Sequence, residues 1–235
     1  MEGVFDTAIS DYFNNNFQGP LLINNHYGLA DEMPLDVYFR DENDLNGLEA
    51  FALTLCKGSV LDVGAGVGAL SLILQNRDIK VDAVEKVDAV ELSDTCCGIM
   101  QNRGVKNIIN QDFFTFDVSR KYDTLLMMMN GFGISGTFDK LPQLFKRFDA
   151  LLRPGGQILF DSSDVSYLYD DELPKETYFG ELDYQYEYNN VKGDWFKWLY
   201  IDIETLANEA TKFGYQLQVL LEDSDGQYLG KLMRI

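Results

Sequence analysis

Two kinds of hydrophobic pattern alternate along most of this chain of 235 residues. Between residue 45 and about residue 161, continuous apolar runs of strand length are followed by stretches in which apolar residues recur every three to four positions. The first pattern is typical of strands buried on both faces, and the second of amphipathic helices. The alternation predicts a parallel, doubly wound α/β sheet.

The pattern also places the individual elements of this region. Helices are expected at residues 45–56, 69–76, 88–102 and 138–152. Strands are expected around residue 60 and at residues 80–85, 105–109, 122–129 and 157–161. The run at 122–129, YDTLLMMM, is apolar throughout after Asp123, so this strand is predicted to lie in the middle of the sheet.

The last third of the chain changes to a period of two. Tyrosines at 184, 186 and 188 alternate with polar residues, and after a turn at 191–194 the pattern resumes at 195–200, which predicts a β-hairpin. A helix at 202–212 and two strands at 215–221 and 228–235 follow, the strands separated by the turn sequence DSDG. We therefore expect a Rossmann-like, seven-stranded mixed sheet with an antiparallel last strand and an inserted β-hairpin cap.

The length predicts a single domain spanning residues 1–235. Within it we expect an N-terminal cap segment at 1–44, a cofactor-binding core at 45–162 and an inserted hairpin lid at 163–200. The closing helix and antiparallel strand pair occupy residues 201–235.

The most informative segment is SVLDVGAGVGA, in which an apolar strand stops at Asp62 and is followed by three glycines spaced two apart. A glycine turn from a strand into a helix lets a nucleotide approach the backbone closely. Gly64, Gly66 and Ala69 also satisfy the dinucleotide fingerprint, and Glu85 stands where that fingerprint expects an acid for the ribose. The glycines alone therefore do not separate a nicotinamide cofactor from S-adenosylmethionine.

The charge of Asp62 separates these two cofactors. A carboxylate at the strand end would face the negative pyrophosphate of a dinucleotide, or the positive sulfonium and ammonium of S-adenosylmethionine. At about 5 Å and an effective dielectric constant near 20, each unit charge contributes roughly 3 kcal/mol, repulsive or attractive accordingly. Asp62 therefore favours the cationic cofactor.

Composition narrows the range of partners and locations. The 19 basic and 38 acidic residues give a formal charge of −19, which would repel nucleic acid. The first residues show no signal peptide, and no run of 18 apolar residues predicts a membrane span. Cys96 and Cys97 are adjacent and unsuited to a disulfide with each other, so a cytoplasmic location is expected. No cluster of acids and histidines predicts a metal site.

Five segments occur in an order that resembles the class I S-adenosylmethionine-dependent methyltransferases. They are SVLDVGAGVGAL, VDAVE, NQDFF, YDTLLMMMNGFG and LLRPGGQILFD, all within residues 45–162. Together with NGFGISG and the phrase RGVKN, they look like a bacterial small-molecule group of that family. The resemblance implies methyl transfer to a small-molecule acceptor by in-line displacement, a reaction that needs alignment and exclusion of water more than a general base.

The resemblance also implies roles for the glycine turn and the next strand. Gly64 and Gly66 would border the methionine part of the cofactor, and Asp62 would meet its ammonium. Glu85, at the expected end of the second strand, would accept both ribose hydroxyls. The neighbouring cofactor contacts predicted in the same two loops are Ala65, Gly68 and Lys86.

Further roles fall on residues outside these loops. Asp112 would accept from the adenine amino group, with Phe113 beside the ring. Met129 and Asn130 would offer a backbone carbonyl to the ammonium and turn the asparagine side chain toward the acceptor. Arg40 would bind the cofactor carboxylate in a planar fork.

Each of these residues also has a structural explanation. Asp62 could cap the following turn, Glu85 could be a solvated acid at a strand end, and Asp112 could form an Asx turn. Arg40 stands among acids at positions 41, 42 and 44 and could form an exposed ion pair.

Aromatic residues in the N-terminal segment and the hairpin are expected to enclose the acceptor. They are Phe13, Phe17, Tyr27 and Tyr38 in the segment, and Tyr184, Tyr186, Phe196, Trp198 and Tyr200 in the hairpin. An aromatic enclosure beside an acidic surface suits an amine or a flat apolar acceptor. The row of tyrosines could equally be a packing face. The candidate catalytic residues are His26, Asn130 and Tyr200, with His26 also explained as a hydrogen-bonding loop residue.

Two other functions are open at this point. The sequence YNNVK resembles the tyrosine and lysine pair of nicotinamide-dependent dehydrogenases, although Tyr188 and Lys192 do not lie on a predicted helix that would bring them to one face. A non-catalytic protein that retains cofactor binding is the second alternative. The sequence identifies neither the acceptor nor the oligomeric state.

Overall fold

The computed structural model describes residues 3–77, 84–117, 119–169, 172–224 and 226–235. Its strands are β1 (Leu21–Asn25), β2 (Asp31–Met33), β3 (Gly58–Val63), β4 (Val84–Glu91), β5 (Ile108–Asn110), β6 (Tyr122–Met127), β7 (Leu152–Ser163), β8 (Glu181–Tyr188), β9 (Val191–Lys192), β10 (Phe196–Leu199), β11 (Tyr215–Glu222) and β12 (Gln227–Arg234). Its α-helices are α1 (Val4–Phe13), α2 (Gly47–Leu55), α3 (Ala69–Asn76), α4 (Asp94–Arg103), α5 (Leu141–Leu151) and α6 (Ile203–Lys212).

The larger sheet has seven strands in the order β11-β12-β7-β6-β3-β4-β5. The strands from β7 to β5 run parallel, whereas β12 is antiparallel to both β7 and β11. This arrangement confirms the predicted mixed sheet. The chain leaves β3 toward β4 on one side and later returns through β6 on the other, so a crevice opens at the carboxyl ends of β3, β4 and β6.

A second, antiparallel sheet has the order β10-β8-β1-β2, with β9 paired to β8. The predicted hairpin is present, with Phe196 opposite Tyr184. Its strand β8 also pairs with β1 from the N-terminal segment, where Ile23 stands opposite Tyr186. No strand was predicted at β1, because LLINN is short and ends in two asparagines.

The core lies on both faces of the larger sheet. In β6, Leu125, Leu126 and Met127 are fully buried, and Met128 after the strand is nearly so, as expected for a strand in the middle of the sheet. Helix α5 buries its apolar face, including Phe145 and Phe148, against the same strands. Within the described residues, no helix is long and apolar enough to cross a membrane.

Several predicted boundaries differ from the structure: β7 begins at Leu152 and not at residue 157, β5 covers Ile108–Asn110 and not 105–109, and the largest error lies at β4. A strand at 80–85 and a helix from residue 88 were expected, but β4 continues to Glu91 and α4 begins at Asp94, with Ser93 as its N-cap. The pentapeptide VDAVE occurs at 81–85 and again at 87–91, and the prediction ended the strand after the first copy. In the second copy, Asp88 is a buried acid within the strand that accepts a hydrogen bond from the Tyr122 hydroxyl at 3.0 Å. Residues 80–83 of the expected strand lie outside the described residues.

Gly68 provides a stability test. It has a left-handed backbone, with φ +80°, and a Cβ there would lie 2.6 Å from Val105 Cγ2. Gly68→Ala should therefore lower the free energy of unfolding by about 2 to 4 kcal/mol, from the left-handed strain and the overpacking together. Gly98 lies in α4 with open space around its Cβ position, so Gly98→Ala should be neutral or stabilise by up to about 1 kcal/mol. Urea denaturation of both variants measures the difference, and equal effects would contradict the prediction.

Candidate functional site

A cavity of about 830 Å³ lies at the carboxyl ends of the parallel strands, beneath the second sheet. Residues predicted from the sequence as site candidates that line it are Arg40, Gly64, Gly66, Asp112, Phe113, Met129, Asn130 and Tyr200.

The glycine turn after β3 forms one wall of the cavity. The amides of Gly64 and Ala65 donate to the Val90 carbonyl at 3.0 and 3.2 Å, which fixes the turn to the end of β4. A Cβ at Gly64 would meet no protein atom within 4 Å, so the backbone here is bare on its open side. Ala65 packs toward α4, and neither it nor Gly68 lines the cavity. The expected cofactor contacts of these two residues are therefore corrected to packing roles.

The acid at the end of β4 is Glu91, and not Glu85 as predicted. Its carboxylate lines the cavity and accepts from the amides of Gly66 at 2.9 Å, Leu92 at 2.8 Å and Ser93 at 3.0 Å. Glu85 is the second residue of β4, at the opposite end of the sheet, and its side chain lies outside the described residues. The next residue, Lys86, is bound to Asp88 at 2.7 Å and is also outside the cavity.

Asp62 lies beneath the cavity and does not line it. The residue is 3% exposed, and its Oδ2 accepts from the Ser71 hydroxyl at 2.7 Å, which ties β3 to α3. Burial raises the pKa of Asp62 to about 6. This carboxylate supports the turn from below, in agreement with the capping explanation. The contact with a cofactor ammonium stays a prediction.

Asp112 and Phe113 follow β5 and line another wall of the cavity. Asp112 Oδ1 accepts from the Phe114 amide at 2.8 Å, so the Asx turn suggested by the sequence is present. The structural and the binding explanation are compatible, because a carboxylate has further acceptor positions. Gln111 lines the same wall and was not predicted.

The turn that ends β6 has an unusual backbone. Met129 and Asn130 both have left-handed conformations, with φ +62° and +55°. Asn130 donates its amide to Asp161 Oδ1 at 3.0 Å, and its side-chain Oδ1 accepts from the Ser163 hydroxyl at 3.0 Å. Strained residues held by surrounding hydrogen bonds are typical of functional sites.

Two donors already bind the Asn130 carbonyl, the Trp198 indole at 3.1 Å and the Gly133 amide at 2.9 Å. It is therefore a poor candidate for binding a cofactor ammonium. Its side chain faces Ser163, which leaves a catalytic role for Asn130 unsupported. The Met129 backbone remains the candidate at this turn.

Arg40 forms an ion pair, but not with the neighbouring acids in the sequence. Its Nη2 lies 2.5 Å from Oε1 of the buried Glu49 on α2. Glu49 is fixed in turn by a capping box with Asn46. Arg40 Nε is buried and has no hydrogen-bond partner among the described residues, so the guanidinium keeps a donor for a ligand.

Aromatic side chains of the second sheet form the roof of the cavity. The roof residues are Tyr184, Tyr186, Phe196, Trp198 and Tyr200, with Tyr38 from the N-terminal segment. The Tyr184 hydroxyl donates to the Tyr200 hydroxyl at 3.2 Å, and burial raises the pKa of both phenols. Leu182 and Tyr188 on the same strand are buried. Of the three tyrosines of β8, Tyr184 and Tyr186 therefore line the cavity, whereas Tyr188 packs in the core.

The other predicted aromatic residues lie outside the cavity lining. Phe13 stacks on Phe39, and Phe17 stacks on Tyr188. His26 is exposed and stacks on Trp195 with a centroid distance of 4.2 Å. The structure therefore does not support His26 as a catalytic base.

Asp161 and Gln227 were not predicted, although both line the cavity. Asp161, on β7, is 4% exposed and accepts from the Gln227 amide at 2.9 Å in addition to the Asn130 amide. Burial raises the pKa of Asp161 to about 7. The sequence signal that would have found it is an acid at the end of a buried strand, in LFD.

Tyr188 and Lys192 do not form the pair that a dehydrogenase requires. The Tyr188 hydroxyl donates to Asp11 Oδ2 at 3.0 Å and accepts from the Gln18 amide, whereas Lys192 lies 3.4 Å from Glu187. Neither residue lines the cavity. Within the described ranges, no group of three or more His, Cys, Asp or Glu side chains is arranged to hold a metal ion.

The comparisons with known proteins agree with this geometry. The profile of a family described as a methyltransferase domain matches residues 39–220. The chain is similar, at 35% identity and a TM-score of 0.89, to an S-adenosylmethionine-dependent methyltransferase from Bacteroides fragilis solved with S-adenosylhomocysteine. The alignment covers 99% of this chain and 95% of that one. No curated protein sequence matches the chain.

More distant structures share the fold. The CcbJ methyltransferase from Streptomyces caelestis is 14% identical with a TM-score of 0.63, covering 85% of this chain and 95% of that one. CalS10, an amino pentose methyltransferase from Micromonospora echinaspora, is 16% identical with a TM-score of 0.61, covering 85% and 96%.

The raised pKa of Asp62 has a consequence for stability. Because the folded protein holds this proton more tightly than the unfolded chain, Asp62 makes stability fall as the pH rises from about 4 through about 6. Asp62→Asn keeps an acceptor for Ser71 and removes the titration. Between pH 4 and pH 8 the free energy of unfolding of the variant should gain roughly 2 kcal/mol relative to the parent protein. Denaturation at several pH values measures this, and parallel curves would contradict it.

Proposed function

This chain belongs to the S-adenosylmethionine-dependent methyltransferases, and we propose that its acceptor is a small molecule bound beneath the aromatic roof. The observation that carries the proposal is a single cavity bounded by the bare glycine turn, the Glu91 carboxylate and the roof residues. We expect the nucleoside of the cofactor and the acceptor to bind next to each other in this cavity.

The residues present fit S-adenosylmethionine. Gly64 offers bare backbone, and Gly66 lines the cavity with Tyr38 Cδ1 3.5 Å from the place of a Cβ. Glu91 keeps an acceptor position for ribose hydroxyls beside the three amides that hold it. Arg40 Nε and the buried Ser135 hydroxyl, both in residues that line the cavity, have no partners among the described residues. We assign Arg40 to the cofactor carboxylate and the wall of Gln111, Asp112 and Phe113 to the adenine.

When bound, the cofactor supplies a methyl group activated by a positive sulfonium. The protein has to hold the acceptor in line with this group and to exclude water. The roof residues help to exclude water, because Trp198 covers the end of β6 and its indole donates to the Asn130 carbonyl. The Met129 backbone is the candidate contact for the cationic portion of the cofactor.

Several properties support a small acceptor. The second sheet covers the cavity, and the chain carries a formal charge of −19, which disfavours nucleic acid. Relatives that share the fold include a methyltransferase of an amino pentose.

Cys56, Cys96 and Cys97 are free thiols, which suits a cytoplasmic location.

Titration of the purified protein with S-adenosylmethionine and, separately, with NADH tests the cofactor. We expect saturable binding of the first and none of the second. Release of S-adenosylhomocysteine across a panel of amines, phenols, thiols and acids then tests turnover. Good cofactor binding with no product from any acceptor would favour the non-catalytic alternative.

Two variants in β4 test the assignment of Glu91 to the ribose hydroxyls of the cofactor. Glu91→Ala should weaken the binding of S-adenosylhomocysteine by about 1.5 to 3 kcal/mol, the usual loss for hydrogen bonds to a charged group. Glu85→Ala should leave the affinity unchanged, because residue 85 stands at the other end of β4. Calorimetric titration measures both. The assignment fails if the substitution at residue 85 weakens binding and the one at residue 91 does not.

A further inference from the structure

A second cavity, of about 600 Å³, lies behind part of the roof. The turn between β1 and β2, the segment after β7 and the turn between β11 and β12 enclose it. Tyr184, Tyr200 and Gln227 line both this cavity and the first one. The two cavities are therefore separated only by a partition of these side chains.

The partition holds a carboxylate at its edge. Gln227 Nε2 donates to Asp161 Oδ2 at 2.9 Å, and Asp161 itself lines the first cavity. Across the partition, the hydroxyls of Tyr184 and Tyr200 are joined at 3.2 Å. An acceptor group lying at this partition would meet both an acid and the aromatic roof.

Charge selects the class of molecule that fits. Among the described residues that line the second cavity, Asp31 and Asp223 are acidic and none is basic. The first cavity is lined by four acids, Glu49, Glu91, Asp112 and Asp161, and by two cations. Of the cations, Arg40 is paired with Glu49, which also faces Asp161 from α2, and Lys140 is exposed. An ammonium gains from a carboxylate and from aromatic faces, whereas a carboxylate or phosphate would be repelled.

We propose, as an extension of the proposed function, that the acceptor is an amine lying across the partition. Its amino group is bound by Asp161 and the roof residues, and the rest of the molecule occupies the second cavity. An ammonium first gives one proton to the Asp161 carboxylate. The nitrogen lone pair then forms the bond to the methyl carbon as the carbon–sulfur bond breaks, and that bonding pair stays on sulfur.

The surroundings of Asp161 suit this proton transfer. Burial raises the pKa of Asp161 to about 7, between that of an ordinary carboxyl and that of an amine. The groups that face it come from four regions of the chain: Asn130 after β6, Gln227 and Tyr228 on β12, Glu49 with Arg40 at α2, and Tyr200 after β10.

Binding to protein saturated with S-adenosylhomocysteine tests the inference without a known acceptor. The probes are 1,4-diaminobutane and benzylamine, each compared with the alcohol of the same skeleton by calorimetry. We expect each amine to bind at least about tenfold more tightly than its alcohol, the minimum for a bond to a charged group. Asp161→Asn should remove most of this preference. Asp183→Asn should keep it, because Asp183 lies on β8 and binds the exposed Lys197.

A second variant tests the cavity independently of Asp161. Gly28 lines the second cavity, and a Cβ there would meet no protein atom within 4 Å. Gly28→Trp should therefore fill the cavity, weaken 1,4-diaminobutane binding by at least about tenfold and leave S-adenosylhomocysteine binding unchanged.

The outcomes separate this inference from the proposed function. If S-adenosylhomocysteine binds but amines bind no better than alcohols, or Asp161→Asn and Gly28→Trp both leave amine binding unchanged, the inference is overturned and the proposed function stands. If the parent protein does not bind S-adenosylhomocysteine, both are overturned.

Discussion

The site depends on the hydrogen bonds that hold Asn130 at the end of β6. Its amide is bound by Asp161, its side chain by Ser163, and its carbonyl by the Trp198 indole. The first two partners lie on β7 of the larger sheet and the third on β10 of the second sheet. These bonds stabilise a left-handed backbone and at the same time join the two sheets above and below the cavity. The roof and the cofactor-binding edge are therefore positioned by one turn.

The sequence predicted the fold well because most of the larger sheet is specified locally. The apolar run at β6, the helix α3 and the glycine turn before it need no distant contact to be identified. The second sheet is different, since β1 pairs with β8 about 160 residues later in the chain. This short strand, which ends in two asparagines, is stabilised by its pairing with β8 and with β2, and no local pattern predicts it.

The candidate site was predicted less well, and the errors share a physical cause. Asp88 is a charged residue buried inside β4, where Lys86 and Tyr122 satisfy it. The prediction took the first of the two VDAVE copies, 81–85 and 87–91, as the strand and did not extend it across Asp88, which placed the candidate ribose acid at Glu85 and not at Glu91. The same limitation hid Asp161, because hydrophobic patterns do not distinguish a buried, hydrogen-bonded acid from an exposed one.

The charge argument favoured a cationic cofactor through a residue that does not line the cavity. Asp62 lies beneath the glycine turn, where its Oδ2 accepts from the Ser71 hydroxyl. Glu91 and Asp161, by contrast, present carboxylates to the cavity itself, and Glu49 balances Arg40. Among the described residues that line the cavity, four are acidic and two are basic, and of the two cations Arg40 is paired and Lys140 is exposed. An enclosed space with this balance favours positively charged occupants at each of its ends, which connects the choice of cofactor with the chemistry inferred for the acceptor.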